Sequence, residues 1–185
     1  MTGHLFVITG GPGSGKSSLV EALADAGLPH MPEAGRAIIR DQVAIGGSAL
    51  PWADRAAFAE LMLAWELRSH HEARAFAVPV ILDRGVPDVI GYLTLCGLPV
   101  PDHMRKAAAL YRYNRTVFLA PHWPEIFAQD TERRQSLQEA DATCRAMVEV
   151  YTSLGYDLVT LPLASVSERV AFVRSHIAAS GRNRE

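Results

Sequence analysis

Lysine is almost missing from this chain of 185 residues: of eighteen basic side chains only Lys16 and Lys106 are lysines. Codon bias accounts for a general scarcity, but a lysine kept inside a glycine loop argues that an ammonium is wanted there. Cysteine is scarce too. Cys96 and Cys144 lie far apart with no CxxC or metal-ligand spacing, which excludes a disulfide framework and a zinc site and suits a reducing cytoplasm. Long hydrophobic runs are absent: nothing approaches the roughly 20 apolar residues of a membrane span. The apolar run 5–8 is too short for a signal peptide, so a cytoplasmic chain with no membrane partner is expected. Charge of one sign is absent as well. A formal net charge of −2 gives no basic field, so no nucleic-acid partner is expected. Nothing in the composition speaks to oligomeric state.

What is present reads as one globular unit. Apolar residues make up 49% and charged residues 21%, far from a disordered composition. A chain of this length buries about 70% of its unfolded surface in one core. The run 5–9, LFVIT, is β-forming and apolar on both faces, as a central parallel strand should be. Helical spacing resumes at 17–26 and stops at Gly27. Further strands are predicted at 28–31, 78–82, 116–120 and 157–161, with helices at 35–45, 53–77, 88–96, 102–113, from Arg134 to about 154, and 167–179. On the helix 53–77, Phe58, Leu61, Met62, Trp65 and Leu67 form the apolar stripe, and Arg55, Glu60, Glu66, Arg68 and Glu72 the charged face. This alternation implies an α/β fold with a five-stranded parallel sheet covered on both faces, and ligands at the carboxyl ends of the strands. One domain over 1–180 is expected, with a lid at about 121–136 and a flexible tail at 181–185.

The glycine loop carries the chemistry. Gly10-Gly11-Pro12-Gly13-Ser14-Gly15-Lys16-Ser17 satisfies GxxxxGK[ST] between a strand and a helix, the context that the pattern requires. Glycines let several N–H groups turn on one anion, and the helix adds its positive dipole end. The loop, with Ser18 behind it, is therefore a cradle for the phosphates of ATP or GTP. Lys16 reaches the β- and γ-phosphates, and Ser17 is a Mg²⁺ ligand.

Four further groups fall near the same edge. Asp83 ends a buried strand and either organises Mg²⁺ or caps the next turn. Arg84 either clamps a phosphate or carboxylate or pairs at the surface with Asp88. Glu33 and Arg36, in PEAGR, are an acceptor-side general base and an orienting cation, or else a helix-start carboxylate and its neighbour. Arg133 and Arg134 open either a catalytic lid or a solvated helix; being adjacent, only one can face the nucleotide. Arg105, Lys106, Arg112 and Arg115 read as a solvated face.

With GGPGSGKS at 10–17, PEAGR at 32–36, LDRGVPDVIGYLTLCGLP at 82–99 and ERRQ at 132–135, the chain resembles the P-loop kinase-like AAA domain family that includes the ribosylnicotinamide kinase domain of NadR. The resemblance covers most of the chain and implies a kinase-like P-loop NTPase. It makes Glu33 a base or substrate ligand, Asp83 a Mg²⁺ organiser and Arg84 a phosphate clamp; Glu33, Arg36, Arg84 and Asp88 are the residues expected at the substrate. The features of a ring-forming mechanical ATPase are missing: no second helical domain, no acidic DE pair after an apolar strand, no sensor arginine. The leading expectation is transfer of the ATP γ-phosphoryl to a nucleoside- or nucleotide-like hydroxyl. The alternatives are an ATP- or GTP-dependent binding module and a slow NTPase with no acceptor; an NKxD guanine-reading motif is absent.

Overall fold

The computed structural model describes residues 2–126 and 137–182. Five parallel strands form one sheet in the order β2-β3-β1-β4-β5. They are β1 (Leu5–Gly10), β2 (His30–Met31), β3 (Val80–Asp83), β4 (Thr116–Ala120) and β5 (Asp157–Thr160). Between and after them come α1 (Lys16–Asp25), α2 (Ala34–Ile45), α3 (Arg55–Ala73), α4 (Val86–Leu95), α5 (Asp102–Leu110), α6 (Leu137–Ser153) and α7 (Val166–Arg182). A 3-10 turn occupies Pro124–Ile126.

β1 lies at the centre because it is apolar throughout, and all six of its residues are buried. Its side chains alternate between two cores, as the period of a strand dictates. Phe6 and Ile8 pack with Leu19, Leu23, Ile81, Phe118 and Val173 beneath α1 and α7. Leu5 and Val7 pack on the other face with Leu82, Val117, Met147 and Tyr151 beneath α6. A third cluster joins α3, α4 and α5 through Leu63, Val89, Leu93 and Met104.

Several boundaries differ from the sequence expectation, each for a local reason. α3 starts at Arg55 because Asp54 accepts the Ala57 N–H at 2.9 Å and caps it. α4 starts at Val86, two residues early. Pro87 suits the first helical turn, and Asp88 reaches back to accept the Gly85 N–H at 3.0 Å. α5 stops at Leu110, since Asn114 already donates its N–H to Leu5 O and the chain has joined the sheet. β2 shrinks to two residues, although Pro29 O still accepts from Ile81. α7 continues past 179 to Arg182.

The apolar stripe of α3 needs correction. Leu61 is 37% exposed, whereas Glu66 is only 4% exposed and His70 1%. The buried face follows Ala59, Leu63, Glu66, His70 and Ala73 at alternating spacings of four and three. Glu66, expected on the charged face, therefore projects inward.

Candidate active site

The carboxyl ends of β1, β2 and β3 converge on residues far apart in sequence. At β1 the chain bends sharply through Gly10, which has φ of 136°; a Cβ there would lie 2.2 Å from Ala120 O on the neighbouring strand. Only glycine fits that approach. Gly11 is similarly tight, with a Cβ reaching 2.4 Å from Ala140 O on α6. Ser14 donates to Gly11 O at 2.8 Å, which keeps the loop curled. Lys16 is 5% exposed, and its ammonium lies against Gly11 O, Gly10 O and the Ser14 hydroxyl at 2.5, 3.2 and 3.1 Å. Ser17 and Ser18 follow as exposed residues in the first turn of α1.

A residue the motif reading misses braces this loop from behind. Arg169 of α7 is 1% exposed and donates to Ser14 O at 3.2 Å and Gly15 O at 3.4 Å. Its guanidinium sits 5.7 Å from the Trp123 ring. Burial pulls its pKa down from the ordinary arginine value. The available signal was an arginine at the apolar spacing of Val166, Val170, Val173 and Ile177.

The expected alternatives for Asp83, Arg84 and Asp88 can now be compared with their contacts. Arg84 is the one described non-glycine residue with positive φ, at 84°. That backbone twist turns its side chain over the strand ends. Nε donates to Glu33 Oε1 at 3.1 Å, and one terminal nitrogen donates to Gly10 O and to Asp88 Oδ1, both at 3.1 Å. The Arg84–Asp88 pair is thus buried, with side chains 14% and 6% exposed, and is not a surface pair. Burial works against the guanidinium charge, but Glu33, Asp88 and Asp83 outweigh it and raise its pKa further.

Asp88 is the hub beneath Arg84. It also accepts from the Thr9 hydroxyl at 2.6 Å and from the Tyr151 hydroxyl at 2.6 Å. Thr9 and Tyr151 were not singled out in the sequence; a threonine closing an otherwise apolar strand was the only hint. Glu33 stands at the N-cap of α2, yet its side chain makes no capping bond. It instead faces Arg84, with Arg36 Nε 3.7 Å from its other oxygen.

Asp83 is 6% exposed, and its Oδ1 is buried with no hydrogen bond to a described residue. It caps nothing; Asp88 takes that place. Burial raises its pKa and Glu33 adds to the rise, while Lys16 and Arg84 oppose it. An orphaned carboxylate oxygen facing the loop lysine, with the exposed Ser17 hydroxyl, is a hard-oxygen set that fits Mg²⁺ completed by phosphate and water. No group of three or more His, Cys, Asp or Glu gathers among the described residues to hold a metal without such further ligands.

Arg133 and Arg134 lie outside the described residues, as does most of the expected lid. Of the basic cluster, Arg115 pairs with Asp157 at 2.8 Å, and Arg112 donates to Leu154 O while lying 4.0 Å over the Tyr156 ring. Arg115 and Asp157 pair at the surface, with side chains 76% and 60% exposed, and Arg105 and Lys106 are exposed on α5. No helix of the described residues is long and apolar enough to cross a membrane.

With this geometry in place, the family profile described as AAA domain matches residues 5–169, most of the chain and all of the site. The chain belongs to the AAA domain family. No curated protein matches its sequence. Among solved structures, the family member resembles deoxyadenosine kinase from M.mycoides with the products dCMP and dCDP bound, at 12% identity and a TM-score of 0.66, over 95% of this chain and 99% of that one. The same kinase with bound dATP aligns at 11% identity and a TM-score of 0.61, over 94% and 98%. NadR protein in complex with NR aligns at 16% identity and a TM-score of 0.69, over 94% of this chain; the chain spans about half of NadR, 51%. At such identities these likenesses show the fold alone, an α/β P-loop NTPase fold with a five-stranded parallel sheet.

Proposed function

We propose that the chain is a phosphotransferase that moves the γ-phosphoryl of ATP to the hydroxyl of a nucleoside- or nucleotide-like acceptor. The observation that carries this reading is the reach of Arg84. One guanidinium joins Glu33, Asp88 and the Gly10 carbonyl of the phosphate loop, so an acid beyond β2 and the cradle beyond β1 belong to a single hydrogen-bonded unit. A hydrolase needs only the cradle and a placed water. A carboxylate held across the cleft from the cradle has a use when a second substrate must be aligned and relieved of a proton.

In this reading the loop amides and Lys16 hold the triphosphate at the head of α1. Glu33 accepts the proton of the acceptor hydroxyl. The acceptor oxygen forms its bond to the γ-phosphorus as the bond from that phosphorus to the β–γ bridging oxygen breaks, and ADP leaves. Lys16 and Arg84 offset the charge spread over the transferring oxygens, so catalysis is mainly placement and electrostatics. Ser17 and Asp83 are the residues that would hold Mg²⁺, which would supply charge neutralisation to the phosphates. The structural likeness to nucleoside kinases supports the acceptor class.

The test is ATP consumption by the purified chain with and without a panel of nucleosides, nucleotides and sugars, with Lys16→Ala as control. Consumption stimulated by an acceptor, and abolished in the control, is the expected result. Turnover indifferent to every acceptor would point to hydrolysis, and binding without turnover to a switch; either retires the kinase reading.

A further inference from the structure

Asp88 is more fully bonded within the chain than a substrate ligand can be. Its Oδ1 accepts from the Thr9 hydroxyl at 2.6 Å and from Arg84 at 3.1 Å, and its Oδ2 from the Tyr151 hydroxyl at 2.6 Å and the Gly85 N–H at 3.0 Å. An ionised carboxylate offers about four lone-pair sites, and four donors already hold this one. Thr9 and Tyr151 are both 0% exposed and Asp88 only 6%, so the cluster is sealed inside the fold.

The tyrosine is delivered by a close approach of two helices. Gly91 stands one turn after Asp88 on α4, and Met147 one turn before Tyr151 on α6; a Cβ on Gly91 would strike the Met147 side chain. Glycine there lets the helices touch, and the adjoining turn sets the Tyr151 hydroxyl on Asp88. Near its other end α6 meets the phosphate loop, where Ala140 O leaves no room for a Cβ on Gly11. Phenylalanine would pack in that core with no polar atom to satisfy, so the hydroxyl of Tyr151 calls for a use. Burial and the neighbouring Asp88 hold the Tyr151 pKa well above its ordinary value, and the group remains a donor.

The use is found on the other side of Asp88. Arg84 has a φ of 84°, a shape that persists only where the surroundings impose it. Its Nε is bonded to Glu33 and one terminal nitrogen to Asp88 and Gly10 O; the second terminal nitrogen makes no hydrogen bond to a described residue. We propose that Thr9 and Tyr151 are positioning residues: their hydroxyls fix Asp88 as an anchor that touches no substrate, and through it they hold Arg84 so that its remaining terminal nitrogen addresses the transferring phosphoryl group. This rests on the phosphotransferase reading for what Arg84 does, and on the hydrogen bonds alone for how Arg84 is held.

The experiment follows Arg84 directly. Its Nε–H signal in heteronuclear NMR spectra, identified by its loss in Arg84→Lys, gives a hydrogen-exchange rate that needs no turnover. Tyr156→Phe is the control, because the Tyr156 ring lies 5.4 Å from that of Tyr151 in the same core while its hydroxyl accepts from Tyr113 N–H and not from the cluster. Tyr151→Phe and Thr9→Val should each exchange about tenfold faster at Arg84, the worth of one hydrogen bond. Acceptor-dependent kcat with the panel of nucleosides, nucleotides and sugars should fall about tenfold too, with MgATP Kd within about twofold, as expected of an interaction made in the transition state. Thr9→Ser, which keeps the hydroxyl, and Tyr156→Phe should stay within about threefold of wild type in both rates.

If the phenylalanine variant at 151 does not fold, Thr9→Val decides on the same readouts. The inference is overturned if both hydroxyl deletions leave Arg84 exchange unchanged, if Tyr156→Phe speeds it equally, or if faster exchange leaves kcat untouched. Faster exchange in a chain whose wild type shows no acceptor-dependent turnover would retire the phosphotransferase and leave the anchoring of Arg84 in place.

Discussion

Arg84 and Glu33, fifty-one residues apart in sequence, meet at 3.1 Å through a guanidinium nitrogen and a carboxylate oxygen. That contact fixes where a base can stand relative to the phosphate loop. Glu33→Gln keeps the shape and removes the proposed proton acceptor. General base catalysis is typically worth about 10²–10⁴ in rate, so acceptor-dependent turnover should fall at least a hundredfold in steady-state assays. MgATP affinity, read by titration, should stay within threefold. An equal loss in both would show that Glu33 supports the fold and not the transfer.

Lys16→Ala tests the cradle itself. A ligand at a hundred times its Kd stabilises the folded state by about 2.7 kcal/mol, which for a domain of this size is a rise in Tm of about 5–10 °C. Wild type should show such a rise with MgATP, and the variant should lose most of it while its unliganded Tm changes little.

Gly10→Ala places a methyl group against Ala120 O, at a distance no real Cβ adopts, and on a backbone with φ of 136°. The strand edge must open to admit it, so chemical denaturation should register a loss of about 2–4 kcal/mol. Gly27→Ala is the matched control. Its φ of 88° is also unfavourable for alanine, but nothing lies within 4 Å of the added carbon, so only the backbone penalty of about 1 kcal/mol applies.

Glu66 predicts a pH effect of definite sign. Its pKa is raised in the folded protein, so the folded state binds the proton more tightly than the unfolded chain. Stability is then highest at acid pH and falls as pH rises from about 4.5, the ordinary glutamate value, through the higher folded value. The slope is about 1.4 kcal/mol per pH unit within that window. Glu66→Gln should remove this slope, and its Tm advantage over wild type should grow as pH increases.

Arg169→Met should weaken MgATP binding about tenfold, the usual consequence of leaving buried carbonyls without their donor, here Ser14 O and Gly15 O. Nucleoside affinity should be unaffected. A loss of both would mean that the arginine holds the whole domain together.

Much of this architecture is legible in the order of the amino acids, because its signals are local. The loop at 10–17 declares itself by glycine spacing, β4 is found at 116–120 where its β-forming run lies, and PEAGR and DRGVPD mark the ends of β2 and β3. What escapes is whatever depends on a helix facing inward. Glu66 reads as solvated because apolar periodicity assigns every acid to the wet face, yet the buried ridge of α3 runs through it. Arg169 hides for the same reason in α7. Asp88, named for a substrate role and as a surface partner of Arg84, turns out to cap α4 and to gather Thr9, Arg84 and Tyr151, a convergence that no spacing announces.

The positive φ of Arg84 has an implication for anyone who would make this protein hardier. The peptide there adopts a shape that suits glycine, so selection for heat tolerance alone would drift toward that residue. On the phosphotransferase reading it would arrive at a sturdier and inert molecule, having exchanged the side chain that joins Glu33 and Asp88 to the Gly10 carbonyl for a more comfortable backbone.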